Sequence, residues 1–170
     1  MTPSPARATD DIGTIILDQA DRLFRQHVSA ELLANAECGE FLSELWEAID
    51  AAGLPLALVP ESKGGAGLKP SQALGLIRRA AYHTIPLPLG ETIMAASLWA
   101  EASGTTLLGS ASLAPTNASD RLTIERVGNA YRLAGRAERI PWARQVDNVL
   151  VFARDDKGAG FLVLAPRGTG

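Results

Sequence analysis

The chain has 170 residues, 46% of them hydrophobic and 21% charged, with a net charge of -3, which describes an ordinary globular chain able to bury a sizeable core. Charges of mixed sign exclude the basic stripe expected of a nucleic-acid or anionic-membrane binder. With no apolar run of membrane-spanning length and no signal-peptide stretch at the start, the expectation is a cytoplasmic protein that touches neither nucleic acid nor membrane.

Residues 1–9, rich in Pro, Ser, Thr and Ala, offer too little apolar surface to offset the entropy of ordering and are expected to form a disordered tail. From near Asp10, Ile12, Ile16, Leu23 and His27 recur at helical spacing, with Ile15 and Phe24 widening the stripe, and predict a first helix. His27 reads as a helix-end residue rather than a ligand. A second helix is expected from Ser29 or Ala36 to Ala52, with Leu42, Leu45, Trp46 and Ile49 on its apolar face. Glu37, Glu40, Glu44 and Glu47 repeat on another face. Without a facing stripe of His or Asp they read as solvated carboxylates, not a metal or acid–base site. Cys38 is the single cysteine, so no disulfide and no thiolate cluster can form within the chain.

Gly53 closes the second helix, Pro55 and Pro60 fence an apolar segment read as extended, and Gly64, Gly65 and Gly67 make a turn before Pro70 opens the next helix. Residues 51–68 are therefore a fixed connector. Ser71 to Ala81 is expected to carry Leu74, Ile77 and Ala81 inward. Tyr82 to Gly90 breaks that helix at Pro86 and Pro88. A helix from Glu91 to about Ala102, rich in Ala and Ser, suits close packing, with Trp99 in the core.

Beyond Ser103-Gly104 the period changes. Leu122 to Val127 and Tyr131 to Leu133 read as strands around Gly128-Asn129, and Val149 to Ala153 and Phe161 to Leu164 as strands around Asp155 to Gly158. Helices followed by hairpins argue an α+β fold: a helical domain over 10–103, then a β-domain over 104–170 with an antiparallel sheet, barrel-like or sandwich. Nothing after the last hairpin covers the sheet, so the β-domain is expected to be incomplete.

The connector, read as Ala52-Gly53-Leu54, then Leu58-Val59-Pro60-Glu61, then Gly64-Gly65-Ala66-Gly67-Leu68, resembles the N-terminal domain of the acyl-CoA dehydrogenase family, with its "GL-x-x-L-x-x-P-E-x-x-G-G-x-G-L". Pro86 to Thr92 is similar to the "P-x-P-L-x-E-T" of the family's smaller, divergent members. The resemblance implies a helical domain, a middle β-domain and a C-terminal helical bundle, so this chain would be truncated before the bundle. In the family, "T-E-P-x-A-G-S-D" holds the flavin pyrimidine edge with a Thr hydroxyl and amides, and its Ser lies near the acyl-CoA. The matching run here is Leu113 to Asp120, in which Pro115, Ser119 and Asp120 agree while Leu113, Ala114 and Ala118 depart. A leucine offers no hydroxyl. The family's "G-x-K-x-W/F-I/V-T/S-x-G" packs an aromatic ring and a hydroxyl on the flavin. Here Gly135 to Ala143 puts Arg139 for the aromatic and Pro141 for the hydroxyl, with Trp142 as the alternative aromatic.

By that resemblance, Leu113, Ala114, Ser119, Pro141 and Trp142 are the FAD-binding candidates, and Ser119 and Asp120 the substrate-binding ones. The catalytic carboxylate, which takes the α-proton while the β-hydrogen leaves as hydride, is expected in the C-terminal region. Two functions follow. The chain is the N-terminal and middle part of an FAD-dependent acyl-CoA dehydrogenase, with an electron-transfer flavoprotein or similar acceptor, in a homo- or hetero-oligomer. Alternatively it belongs to a degenerate subunit that supports the acyl pocket of an active partner, as in the hetero-oligomeric members that act on steroid side chains. In either case this chain alone is expected to bind FAD weakly or not at all and to be inactive.

Overall fold

Residues 5–114, 117 and 121–168 are described by the structure, a computed structural model. Helices come first and strands second. They are α1 (Pro5–His27), α2 (Ala30–Glu37), α3 (Ser43–Ala51), α4 (Pro70–Tyr82), α5 (Leu89–Ser103), then β1 (Ala111–Ala114), β2 (Arg121–Val127), β3 (Ala130–Arg136), β4 (Asn148–Arg154) and β5 (Gly160–Pro166). Among the described residues no strand precedes Ala111.

Several expected boundaries move. Helix α1 begins at Pro5 rather than near Asp10, because a proline with its fixed φ is at home in a first helical turn. The single second helix is two: α2 stops at Glu37, Gly39 takes φ 91°, and α3 starts again at Ser43. The segment between Pro55 and Pro60, read as extended, is instead a short 3-10 turn, Leu54–Leu56, followed by further turn, and a second 3-10 turn follows at Glu61–Lys63. Helix α4 turns Ala73, Leu76 and Ala80 inward, whereas Leu74 is 65% exposed and Ala81 is also on the surface. The inner face follows the i, i+3, i+7 spacing of Ala73, Leu76 and Ala80, which leaves Leu74 on the opposite side.

The helical core gathers Phe24 of α1, Leu45, Trp46 and Ile49 of α3, Leu54 and Ala57 of the connector, Leu76 of α4, and Leu89 and Ile93 of α5. Full burial of each large side chain is worth about 1.5–3 kcal/mol. Asp21 on α1 accepts from His83 Nε2 at 2.8 Å and pairs with Arg25 and Arg79, which ties α1 to the end of α4. His27, by contrast, is an exposed residue in the last turn of α1, as expected.

The sheet is mixed, which corrects the antiparallel expectation. Strand β4 pairs antiparallel with β5 along its whole length, from Asn148 opposite Pro166 to Arg154 opposite Gly160. Its other edge is shared: β1 runs parallel to Asn148–Val151, and β2 meets it at Thr123 opposite Arg154. Strands β2 and β3 form the expected hairpin, from Arg121 opposite Arg136 to Val127 opposite Ala130. The result is an α+β fold with an open five-stranded sheet.

One face of that sheet packs on α5. Ala95, Ala96 and Ala100 are fully buried there against Val59, Ala111 and Leu150, with Leu113, Leu162 and Leu164 alongside. Small side chains on the helix permit this close approach, as the Ala/Ser-rich sequence suggested, and Trp99 lies partly buried at the edge of the cluster. Polar links fix the geometry. The buried Thr92 hydroxyl accepts from the Ala111 N–H at 3.0 Å and donates to Pro88 O at 2.7 Å. Lys63 Nζ donates to Ala100 O at 2.5 Å, at the carbonyl end of α5 where a cation is favoured, and Thr106 Oγ1 donates to Lys63 O at 2.7 Å.

Candidate functional site

Strand alternation decides what β1 can present. Leu113 lies opposite Leu150, so its side chain joins the cluster against α5. Ala114, one residue on, points to the other face, where it is 5% exposed and packs with Ile124, Val151 and Ala153. The β2–β3 hairpin leans over this second face. Between them opens an apolar cleft of about 450 Å³, with Ala114, Leu122, Leu133, Val149, Val151 and Ala165 on its walls.

The loop between β3 and β4 borders the cleft and turns sharply. Ala137, Ile140 and Ala143 line the cleft and also an adjoining open recess of about 500 Å³, to which Arg139, Trp142, Arg144 and Gln145 contribute. Arg139 and Trp142 both hold positive φ, 58° and 60°, a conformation that costs a non-glycine residue about 1–3 kcal/mol and needs the surroundings to impose it. At Trp142 hydrogen bonds do so: Gln145 N and Val146 N both donate to Trp142 O, at 2.8 and 3.0 Å. Gln145 Nε2 reaches across to donate to Gly39 O at 3.3 Å, anchoring the loop to the turn between α2 and α3. At the end of the loop Asp147 Oδ2 accepts from Ser110 N at 2.9 Å and from Ser110 Oγ at 2.8 Å, locking the start of β1 to the start of β4.

Of the sequence candidates, Ala114 reaches the cleft, Leu113 turns away from it, Pro141 is exposed on the loop and Trp142 lies in the neighbouring recess. Pro115, Ser119 and Asp120 lie outside the described residues. Among the described residues, the side chains of Leu113, Ala114, Pro141 and Trp142 do not gather at one surface. Leu113 has no hydroxyl and is packed below the sheet, Pro141 has no N–H to donate, and Trp142 does not share the cleft with Ala114. Ser112 and Arg144 escaped the sequence reading of the site. The Ser112 hydroxyl is fully buried without a hydrogen-bond partner among the described residues, on the face that Ala114 shares. Its signal, one serine in a run of small residues, was too weak to find.

The carboxylate row is exposed as expected, with Glu37 on α2, Glu40 in the turn, and Glu44 and Glu47 on α3. No cluster of described residues could hold a metal ion, and no described helix is long and apolar enough to cross a membrane.

No family model and no curated protein matches the chain. Solved structures do. A steroid ACAD, Tcur3481-Tcur3483, is 24% identical with a TM-score of 0.76, covering 94% of this chain and 49% of that one. The ChsE4-ChsE5 complex from Mycobacterium tuberculosis is 19% identical with a TM-score of 0.66, covering 98% and 48%. PigA with FAD and proline is 18% identical with a TM-score of 0.67, covering 99% and 50%. The chain spans about half the length of these proteins, and over that span it has the acyl-CoA dehydrogenase fold.

Proposed function

We propose that this chain belongs to a hetero-oligomeric acyl-CoA dehydrogenase for bulky, steroid-like acyl groups, as the degenerate subunit that supports the acyl pocket of a flavin-holding partner. The observation that carries this is the direction of Leu113. Its side chain supports the α5 interface instead of offering a donor to the cleft, and Pro141 and Arg139 stand where the resembling motif needs a hydroxyl and a ring. Two of the similar structures are named as pairs of proteins, which supports an assembly of unlike subunits. The second reading is an FAD-dependent acyl-CoA dehydrogenase in its own right, homo-oligomeric and delivering electrons to an electron-transfer flavoprotein. It is favoured by the extent of the likeness, which covers helices, connector and sheet together.

The two separate in one preparation. Purify the protein that contains this chain, read its visible spectrum for flavin, and assay steroid side-chain CoA thioesters with an artificial electron acceptor. The degenerate-subunit reading expects neither a stoichiometric flavin spectrum nor turnover until a partner subunit is added. Stoichiometric flavin with turnover by the protein alone would replace it with the second reading.

A further inference from the structure

Strand β5 is an open edge of the sheet. Among the described strands it pairs only with β4, and none of its residues is buried. Two bonds at its ends fix which way its backbone faces: Asp155 N donates to Ala159 O at 3.0 Å, and Arg167 N to Asp147 O at 2.8 Å. Successive residues of an antiparallel strand bond alternately inward and outward, so Phe161, Val163 and Ala165 bond to β4 while the N–H and C=O groups of Leu162 and Leu164 point away from it. The edge carries none of the devices that discourage pairing. Its register with β4 runs unbroken from Gly160 to Pro166, no charged residue lies between those two, and the one proline is the last residue. Aromatic rings stand exposed on both faces near its start. Phe152, on the α5 face, lies against Gly160 and is 42% exposed, and Phe161, on the other face, is 38% exposed.

We propose that β5 pairs with β5 of a second copy of this chain, antiparallel about a two-fold axis through Val163, so that two sheets join into one. The strand is complementary to itself in that register. Leu162 meets Leu164 of the second copy, and Leu164 meets its Leu162. Each of these pairs exchanges two backbone hydrogen bonds, from groups with no other partner among the described residues. Phe161 meets Ala165 of the second copy, a large side chain against a small one on the same face. No like charges oppose one another along the overlap, and Arg167 falls opposite Ala159 of the second copy, next to its Asp155-Asp156 carboxylates. Main-chain bonds supply the affinity of such strand addition, and side chains set its register. The pairing uses neither the cleft at Ala114 nor the β3–β4 loop, and it stands whether or not the chain supports a dehydrogenase.

The test is sedimentation of the whole protein over a range of concentrations, joined to cysteine cross-linking. A reversible dimer is expected. The two Val163 residues form a non-hydrogen-bonded pair, whose Cα atoms lie about 4.5 Å apart, within reach of a disulfide. With Cys38 replaced by serine, Val163→Cys is therefore expected to give a covalent dimer on mild oxidation, whereas Phe161→Cys, which meets Ala165 and not its own copy, is not. Leu162→Pro removes an outward N–H that β4 does not use, and two such bonds are lost per dimer, so the dimer is expected to weaken by about tenfold or more. The Leu162 and Leu164 amides are expected to resist exchange in the dimer and to lose that protection on dilution. A monomer at every concentration overturns the proposal. So does protection of both amides in the dilute monomer, which would show the edge already occupied within one protomer. A dimer unchanged by Leu162→Pro, or one in which Phe161→Cys links as readily as Val163→Cys, would put the contact elsewhere and overturn it as well. If Leu162→Pro fails to fold, the pair of cysteine variants decides alone.

Discussion

Replacing Thr92 by valine should cost about 2 kcal/mol, because the hydroxyl removed is the sole described partner of a buried amide. Thr92 is fully buried on α5, and Ala111 is fully buried at the start of β1. The Thr92 oxygen accepts from Ala111 N at 3.0 Å, and its proton goes to Pro88 O at 2.7 Å, with Ala111 O a further 3.1 Å away. Valine fills nearly the same space but leaves the Ala111 N–H in an apolar contact between helix and sheet. An unsatisfied buried donor costs about 1–3 kcal/mol. In a chain of this size that corresponds to a fall of about 4–8 °C in Tm. Thr92→Ser keeps the oxygen and loses one buried methyl, a cost of about 0.8 kcal/mol. The order parent, serine, valine is therefore the signature of the hydrogen bond rather than of packing. Chemical denaturation of the three proteins, with amide exchange at Ala111, measures it. A valine variant as stable as the parent, or more stable than the serine variant, would refute the reasoning. So would unchanged protection of the Ala111 amide.

The connector glycines should differ sharply. A Cβ on Gly65 would sit 2.1 Å from Val59 O, a backbone clash that nothing flexible can relieve, so Gly65→Ala should destabilise by about 3 kcal/mol or more and is expected to fall out of solution on expression. Gly64 has φ 82° and open space around it, so Gly64→Ala should cost only about 1–2 kcal/mol in a thermal melt. Joint replacement of Glu37, Glu40, Glu44 and Glu47 by glutamine should leave the unfolding midpoint within about 0.5 kcal/mol of the parent, since all four are exposed. Equilibrium dialysis with divalent cations should show the same negligible uptake before and after the change.

What the sequence disclosed and what it hid divide along the range of the interactions. Helix periods, the proline break before α5 and both hairpin turns are written in near neighbours, and the structure has them. The split between α2 and α3 was also written locally, in Cys38-Gly39, but the apolar spacing from Leu42 to Ile49 drew attention past it. Strand β1 was not legible. Ala111-Ser112-Leu113-Ala114 shows no alternation of polar and apolar residues, because one face lies on α5 and the other under the hairpin. Its parallel partner comes from residues 37 positions later, and no local pattern announces that. The site was legible as a set of departures: a leucine for a threonine, a proline for a hydroxyl, an arginine for a ring. Where those side chains point was not, because direction follows from register.

Register also makes the departure at Leu113 hard to undo. Ser110 is held by the Asp147 carboxylate through both its amide and its hydroxyl, and Ala111 is held by Thr92. With two consecutive residues fixed, Leu113 must fall opposite Leu150 and against α5. Turning position 113 to the cleft would need a slip of one residue. That slip would exchange every side chain of the strand between the two faces, driving the unpartnered Ser112 hydroxyl into the alanines of α5 and breaking both anchors. A threonine at position 113 would accordingly place its hydroxyl beside Leu150 rather than in the cleft. The polar links that bind helix to sheet are thus the same ones that deny the cleft a side-chain donor from this position.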